Sequence, residues 1–298
     1  MSPVDVVDVA GWPVVSQEFR GDEPKDWVAP PEDVTSDDKG AWWLYKPIKK
    51  GRQSGYRRFD DVSEYLAFRF ADLIGLPAAE IRLAKGEDAE GIISRNVASD
   101  GWDLVSGDAL LADCDGYISI ATDDRPKERV GHNLANINSV LAERGGPLGG
   151  ECADWQAAEV FVGFLVFDAW IANTDRHALN WAVLSRGPIR RLAHSFDHGS
   201  ALASGVRDDR LAALDVAGFC GRGFATRFEG GAKRTLVDLA NEAVVLVGGR
   251  AHEWGDRLAS VDRAAWAEIL IDVPRLSEVR RRFLDAVLTE NRRRITDA

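Results

Sequence analysis

The nine residues NTDRHALNW (173–181) hold an acid, an imidazole, a guanidinium and two carboxamides, and they lie one residue beyond EVFVGFLVFDAWI (159–171), a nearly unbroken apolar run. The apolar run predicts a helix over about 152–172 that is buried on most of its faces. Polar loops at the ends of rigid buried elements are where binding and catalytic groups tend to sit. Taken singly, Asn173, Asp175 and Asn180 can equally be capping and turn residues. Their order argues for more than that. Asp175 and Asn180 are spaced D-x-x-x-x-N, and Asp197-His198-Gly199 follows after two short predicted strands, NWAVL (180–184) and RLAHSF (191–196), joined by a turn.

That succession matches the parts needed for phosphoryl transfer. One acid handles the attacking hydroxyl, and a carboxamide and a second carboxylate hold a divalent cation against nucleotide phosphates. Magnesium prefers hard oxygen ligands, which Asn180 and Asp197 offer. The same chemistry asks for a lysine on a strand and a helical glutamate to hold it. Lys46 closes the aromatic strand AWWLYKP (41–47), and the chain has only eight lysines. Glu64 lies early in the helix predicted from Asp60 or Asp61 through Ile74, whose Val62, Leu66, Phe70 and Leu73 recur at helical spacing before Gly75 and Pro77 stop it. As isolated residues, Lys46 reads as a snorkelling edge side chain and Glu64 as a solvated helix acid.

The wider pattern is α+β. Short strands and one helix fill residues 1–97, including GWPVV (11–15), WVAP (27–30), EIRLA (80–84) and GIISRNV (91–97), and helices dominate 98–298. A strand-rich N-terminal lobe and a larger helical C-terminal lobe are therefore expected. The net charge of −11 and the pI near 5.0 argue against a nucleic-acid-binding protein. Cys114, Cys152 and Cys220 are scattered, which suits neither a disulfide framework nor a zinc site and fits a reducing cytoplasm. The acidic N-terminus does not read as a secretion signal, and the apolar run is too short to span a bilayer and contains Asp168, so no membrane association is expected.

The sequence resembles the HipA-like kinases, bacterial proteins with a protein-kinase-like two-lobed fold, some of them toxins of toxin–antitoxin pairs. The resemblance is carried by NTDRHALNW with SFDHGSAL (195–202), by WWLYKP (42–47), and by SEYLAFRFADLIGLPAAEIRLA (63–84). It implies an ATP- and Mg2+-dependent kinase in which Asp175 is the catalytic acid/base, Asn180 and Asp197 are metal ligands, Lys46 contacts phosphate and Glu64 holds Lys46. His177 is expected to brace the loop, and Arg176 to approach phosphate or form a salt bridge within its lobe. The implied acceptor is a serine or threonine on a protein, this one included, with an antitoxin as a partner.

About forty residues precede WWLYKP, so no counterpart of the extra N-terminal domain of longer members is expected. No G-x-G-x-x-G is present. The candidate phosphate loop is FRGDEPKDW (19–27), with Gly21 for close backbone approach and Lys25 for a phosphate, although an ordinary surface turn accounts for it as well.

Other chemistries fit these residues less completely. A metal hydrolase using Asp175, His177, Asp197 and His198 leaves Lys46 and Glu64 without a task. A Ser195–His198–Asp197 hydrolase lacks the sequence separation a triad needs. A non-catalytic nucleotide-binding module would not need the acid, the carboxamide and D-x-G together. A small-molecule kinase acting on an amino sugar would need an acidic wall, for which DGWDLVSGDALLADCDG (100–116) and GVRDDRLAALD (205–215) are available. The ten tryptophans are scattered and read as packing, and the basic stretches KKGRQSGYRR (49–58) and RRRF (280–283) as solvated faces.

Overall fold

The structure is a computed structural model that describes residues 4–18, 25–34, 38–48, 56–99, 101–120 and 129–297. Six strands form one sheet: β1 (Val6–Asp8), β2 (Val14–Glu18), β3 (Lys25–Val28), β4 (Trp43–Pro47), β5 (Ile81–Lys85) and β6 (Glu90–Arg95). Their order is β1-β5-β6-β4-β3-β2, and all pairs are antiparallel except β1 with β5. The edge strand β1 is not legible in the sequence, because three residues are too few to show an alternation.

Alternation along β4 decides where its lysine points. Trp43 and Tyr45 pack on the outer face with Val9, Val28, Ala84 and Ile93. Lys46, opposite Ile92, is thereby sent to the inner face, where Ile81, Leu83 and Ile92 join the main core. That face is covered by α1 (Asp60–Leu73). The expected aspartate cap is replaced: Phe59 is the N-cap residue, and Asp60 and Asp61 occupy the first turn, where their charge complements the helix dipole. Asp61 also receives Arg57 Nη2 at 2.9 Å and Arg275 Nη1 at 3.1 Å.

The C-terminal part contains an antiparallel sheet, β7 (Asp103–Ser106), β8 (Ala182–Arg186) and β9 (Ile189–Leu192), in that order. Its helices are α2 (Gly107–Leu111), α3 (Leu134–Leu141), α4 (Ala157–Trp170), α5 (Asp208–Leu211), α6 (Val216–Gly221), α7 (Leu236–Val247), α8 (Glu253–Ser260), α9 (Arg263–Asp272) and α10 (Glu278–Thr296). The helix expected over 152–172 is shorter, because Gln156 and Glu159 form a capping box that starts it at Ala157. Every residue of α4 except Glu159 is buried. Burying side chains such as Phe164 and Phe167 contributes about 1.5–3 kcal/mol each. Trp170 donates from Nε1 to Leu288 O at 3.1 Å, and Asn291 Nδ2 donates back to Trp170 O at 3.1 Å, which locks α10 across α4. Among the described residues no helix is long and apolar enough to cross a membrane.

Two buried polar assemblies hold the loop that leaves α4. Asp168 on α4 accepts Arg176 Nε at 2.7 Å and Arg176 Nη2 at 2.8 Å, and both side chains are almost wholly buried. Arg176 also donates to Asn180 O at 2.7 Å, Ser195 Oγ at 3.0 Å and His198 Nε2 at 3.2 Å. The salt-bridge expectation for Arg176 is therefore met. In the second assembly, His132 Nδ1 donates to Arg227 O at 2.6 Å, and its Nε2 accepts from Trp181 Nε1 at 3.3 Å. Burial holds His132 down at about 4, against the pull of that backbone carbonyl. Burial, helped by Arg176, holds His198 well below the usual imidazole range.

Truncating Asp168 to alanine should cost about 3–5 kcal/mol, because it strands the Arg176 charge in the core; urea midpoints of the variant and wild type check this. The histidines set an acid limb. A depressed pKa contributes stability that is complete above the unfolded value and lost as pH falls through the folded one. His132, folded at about 4, should therefore withdraw on the order of 3 kcal/mol between pH ~6.5 and ~4. Urea midpoints at pH 7.5, 6 and 5 should fall in that order, and a flat profile would reject the assignment.

Candidate active site

Lys46 Nζ reaches Glu64 Oε1 at 2.8 Å, Glu64 Oε2 at 3.0 Å and Asp197 Oδ1 at 3.3 Å. One ammonium therefore joins β4, α1 and the D-x-G segment. Burial pulls Lys46 down, but Asp197 and Glu64 outweigh it, and its pKa stands above the ordinary lysine value. The Lys46 charge holds Asp197 well below the usual carboxylate range, against burial. Burial pushes Glu64 up, opposed by Lys46. Lys46 and Asp197 are thus both ionised at neutral pH, and 40% of the Asp197 side chain remains exposed.

Helix α1 is fastened at its N-terminal end to the segment around D-x-G. Ser63 Oγ donates to Ala201 O at 2.9 Å, and Phe59 N donates to Ser204 O at 3.0 Å. Past its end, Ala79 N donates to Ser195 O and Ser195 N to Pro77 O, at 2.8 and 2.9 Å. The glycine of D-x-G keeps this approach close. A Cβ on Gly199 would lie 3.3 Å from Glu64 Oε1 and 3.4 Å from Asp60 Cβ.

The loop itself is braced from within. Asn173 Nδ2 donates to Asp168 Oδ1 at 2.7 Å, and Asn173 Oδ1 accepts Asp175 N at 3.2 Å. His177 Nδ1 accepts Leu179 N at 3.2 Å, so this histidine braces the loop as expected. Asn180 Nδ2 donates to Asp175 O at 2.9 Å, which turns its amide oxygen away from that carbonyl. Asp175 Oδ2 accepts Ser200 Oγ at 3.1 Å, and Oδ1 accepts Arg227 Nε at 2.6 Å. Non-glycine residues in the left-handed region gather here: Ala172 (φ 54°), Asp197 (φ 61°), Leu202 (φ 53°) and Ala203 (φ 52°). Such backbone costs roughly 1–3 kcal/mol per residue and persists where surrounding contacts enforce it.

Five of the residues singled out from the sequence therefore belong to one constellation. Lys46, Glu64 and Asp197 are in direct contact, and Asp175 and Asn180 join them through Ser200 and their shared loop. Lys25, on β3 opposite Glu18, is near enough for its charge to favour the ionised forms of Glu64 and Asp197. Gly21 and most of the candidate phosphate loop lie outside the described residues, as do residues 49–55 of the basic stretch. His198 is turned inward to Arg176 and Ser195, which removes it from the metal-hydrolase arrangement. Among the described residues no three His, Cys, Asp or Glu side chains are grouped to hold a metal. Asp197, kept ionised where it is half-open, suits a hard cation, and the amide oxygen of Asn180 is a ligand of the same hard type.

Three residues with clear positions here were missed. Asp168 signals itself as an acid in the middle of an apolar helix, and a fully buried carboxylate needs a partner. Ser200 stands beside D-x-G without any distinguishing pattern. Arg227 lies 52 residues beyond Asp175 and is one of many arginines, so nothing in the sequence marks it.

The model of the HipA-like C-terminal domain matches residues 19–266. Among solved structures, the chain is similar to the Helicobacter pylori proinflammatory kinase CtkA, with a TM-score of 0.70 at 17% identity over 98% of this chain and 96% of that one. It is also similar to HipA of a Shewanella oneidensis toxin–antitoxin system, solved with HipB and operator DNA, with a TM-score of 0.51 at 13% identity over 86% of this chain and 60% of that one. No curated protein matches its sequence significantly. At these identities the structural likeness is one of fold, and the fold is kinase-like: a strand-rich N-terminal sheet with a helical C-terminal part, as the sequence led us to expect. The family match spans most of the chain, and the protein belongs to the HipA-like C-terminal domain family.

Proposed function

We propose that this chain is an ATP- and magnesium-dependent phosphotransferase, and specifically a serine/threonine protein kinase that acts on a protein, itself included. The observation that carries the reading is the bridge from Lys46 to both Glu64 and Asp197 beside the Asp175–Asn180 loop. A strand lysine held by a helix glutamate suits contact with nucleotide phosphates. Asn180 and Asp197 would hold magnesium, which when bound neutralises phosphate charge at the transferred group. Asp175 takes the proton of the acceptor hydroxyl. The hydroxyl oxygen then bonds to the γ-phosphorus, the bond from that phosphorus to the bridging oxygen breaks, and ADP leaves with the electron pair.

In this reading residues 1–97 form the phosphate-contacting lobe and 98–298 the lobe with the catalytic loop and metal ligands. Lys25 and Gly21 are assigned to phosphate binding in the same reading. A cognate antitoxin is proposed as a partner, since the neighbouring HipA is solved with HipB. A cytoplasmic location suits the three free cysteines.

An amino-sugar acceptor is less well supported. Three of the acids that would line its pocket are committed elsewhere. Asp108 is buried and accepts Tyr117 Oη at 2.6 Å, Ser119 Oγ at 2.8 Å and Ile120 N at 2.8 Å. Asp208 pairs with Arg280, and Asp209 with Arg207.

Calorimetry should show ATP binding that depends on magnesium, and its absence would end the kinase reading. Asp175→Asn should keep the wild-type melting temperature and MgATP affinity while lowering transfer by roughly 10²–10⁴-fold. Asp197→Ala should instead weaken MgATP binding itself. With labelled ATP, a cell lysate or the protein alone should become labelled at serine or threonine. Transfer confined to a panel of amino sugars, and lost in Asp175→Asn, would replace the protein acceptor with a small molecule.

A further inference from the structure

The cation nearest the candidate catalytic acid does not come from its own loop. Arg176 follows Asp175 directly but is committed to Asp168 in the core. The guanidinium on Asp175 belongs instead to Arg227, whose Nε donates to Oδ1 at 2.6 Å. Both side chains are partly exposed, 35% for Arg227 and 24% for Asp175. Exposed ion pairs are usually loose, since two long side chains must be ordered to form them. This one is built differently, because the backbone that presents it is fixed by buried groups.

The anchor is His132. Arg227 O can only accept, so His132 Nδ1 carries the proton that it donates there at 2.6 Å. The indole N–H of Trp181 can only donate, so His132 Nε2 is the acceptor, at 3.3 Å. A neutral imidazole with one defined tautomer satisfies both neighbours. Phe228, the residue after Arg227, stacks on the His132 ring with centroids 4.5 Å apart. Glu229 N donates to His132 O at 2.9 Å, and Glu229 Oε2 accepts Asn133 Nδ2 at 2.7 Å and Gly131 N at 3.2 Å. The strand of chain behind Arg227 then turns tightly at Gly230 and Gly231, where a Cβ on Gly231 would collide with the Ala225 carbonyl oxygen. Trp181 is the residue after Asn180. The contacts therefore close a ring through Asp175, Asn180, Trp181, His132 and Arg227.

We infer that Arg227 is a positioning residue of the phosphotransfer site, holding one oxygen of Asp175 so that the other faces the acceptor hydroxyl. The inference rests on the phosphotransferase reading and adds a residue from outside the catalytic motifs to it. Ser200 Oγ donates to Oδ2 at 3.1 Å, and in this reading the acceptor hydroxyl replaces it there during transfer. With Oδ1 pinned by Arg227, the carboxylate cannot swing away when Ser200 is displaced.

The full-length protein is assayed for MgATP affinity by calorimetry and for turnover by ADP formation and label transfer. Arg227→Ala should lower turnover about 10- to 100-fold, as expected for a misplaced reacting group, while leaving the MgATP dissociation constant within about twofold of wild type. Arg227→Lys should recover part of the rate. Added methylguanidinium should raise the rate of Arg227→Ala and not that of Asp175→Asn. Arg227→Met, which keeps an unbranched stem but has no donor, serves as the test if the alanine variant does not fold. A variant that turns over at the wild-type rate overturns the inference. So does a loss that follows MgATP affinity, or one that neither lysine nor methylguanidinium relieves. A wild-type protein that binds MgATP but loses nothing on substitution removes only Arg227 from the site; one that binds no MgATP removes the phosphotransferase reading and this inference with it.

Discussion

A carboxylate and a guanidinium, both almost fully desolvated at the end of α4, are the constraint from which the site is built. Removing either charge from water is expensive, and the cost is offset only when every donor finds an acceptor. Arg176 meets that demand with Asp168, Asn180 O, Ser195 Oγ and His198 Nε2. These partners come from the apolar helix, the polar loop and the segment entering D-x-G. Satisfying one buried cation therefore sets three pieces of chain in a single relative position. Apolar pairs of equal volume often stabilise a core as well as a buried ion pair does, but such a pair lacks the directional bonds that orient the loop.

From that position the charged cluster follows. Asp197 emerges in a left-handed conformation beside Lys46, and Gly199 lets α1 approach until Glu64 closes on the same ammonium. The two carboxylates outnumber the lysine, which leaves the half-open Asp197 suited to a further cation. Hydrogen bonds from Phe59, Ser63 and Ala79 tie α1 to this segment at several points, so Glu64 is presented by a rigid element. The main core runs without interruption from α1 through α4 to α10, which is why the glutamate helix packs with the helical part as well as with the sheet.

The roles of the histidines separate along the same lines. His132 and His198 are buried in neutral form and act through hydrogen-bond direction, one accepting from Trp181 and the other from Arg176. His177 braces the loop through Leu179 N. The metal-hydrolase alternative, which already left Lys46 and Glu64 without a task, also loses His198 for a physical reason: its Nε2 lone pair is engaged with the Arg176 guanidinium.

Much was legible in local pattern. The helical period of Val62, Leu66 and Phe70, the aromatic strand ending in Lys46, and the spacing of Asp175, Asn180 and Asp197 are properties of short stretches, governed by backbone period and side-chain chemistry. They determined the α+β class, the α1 and α4 elements and the members of the candidate site. Helix ends were read less well: Phe59 has no capping side chain and its N–H is satisfied by the distant Ser204 carbonyl, and the local capping box of Gln156 and Glu159 was passed over. The partners were decided by tertiary structure. Asp168 reads as an oddity in an apolar run until Arg176 folds back on it, and Arg227 is indistinguishable from other arginines until His132 and Phe228 carry it to Asp175. Sequence specifies which groups are present and their local direction; which two distant charges meet depends on the packing of the elements between them, since a charge recognises its partner only at contact distance.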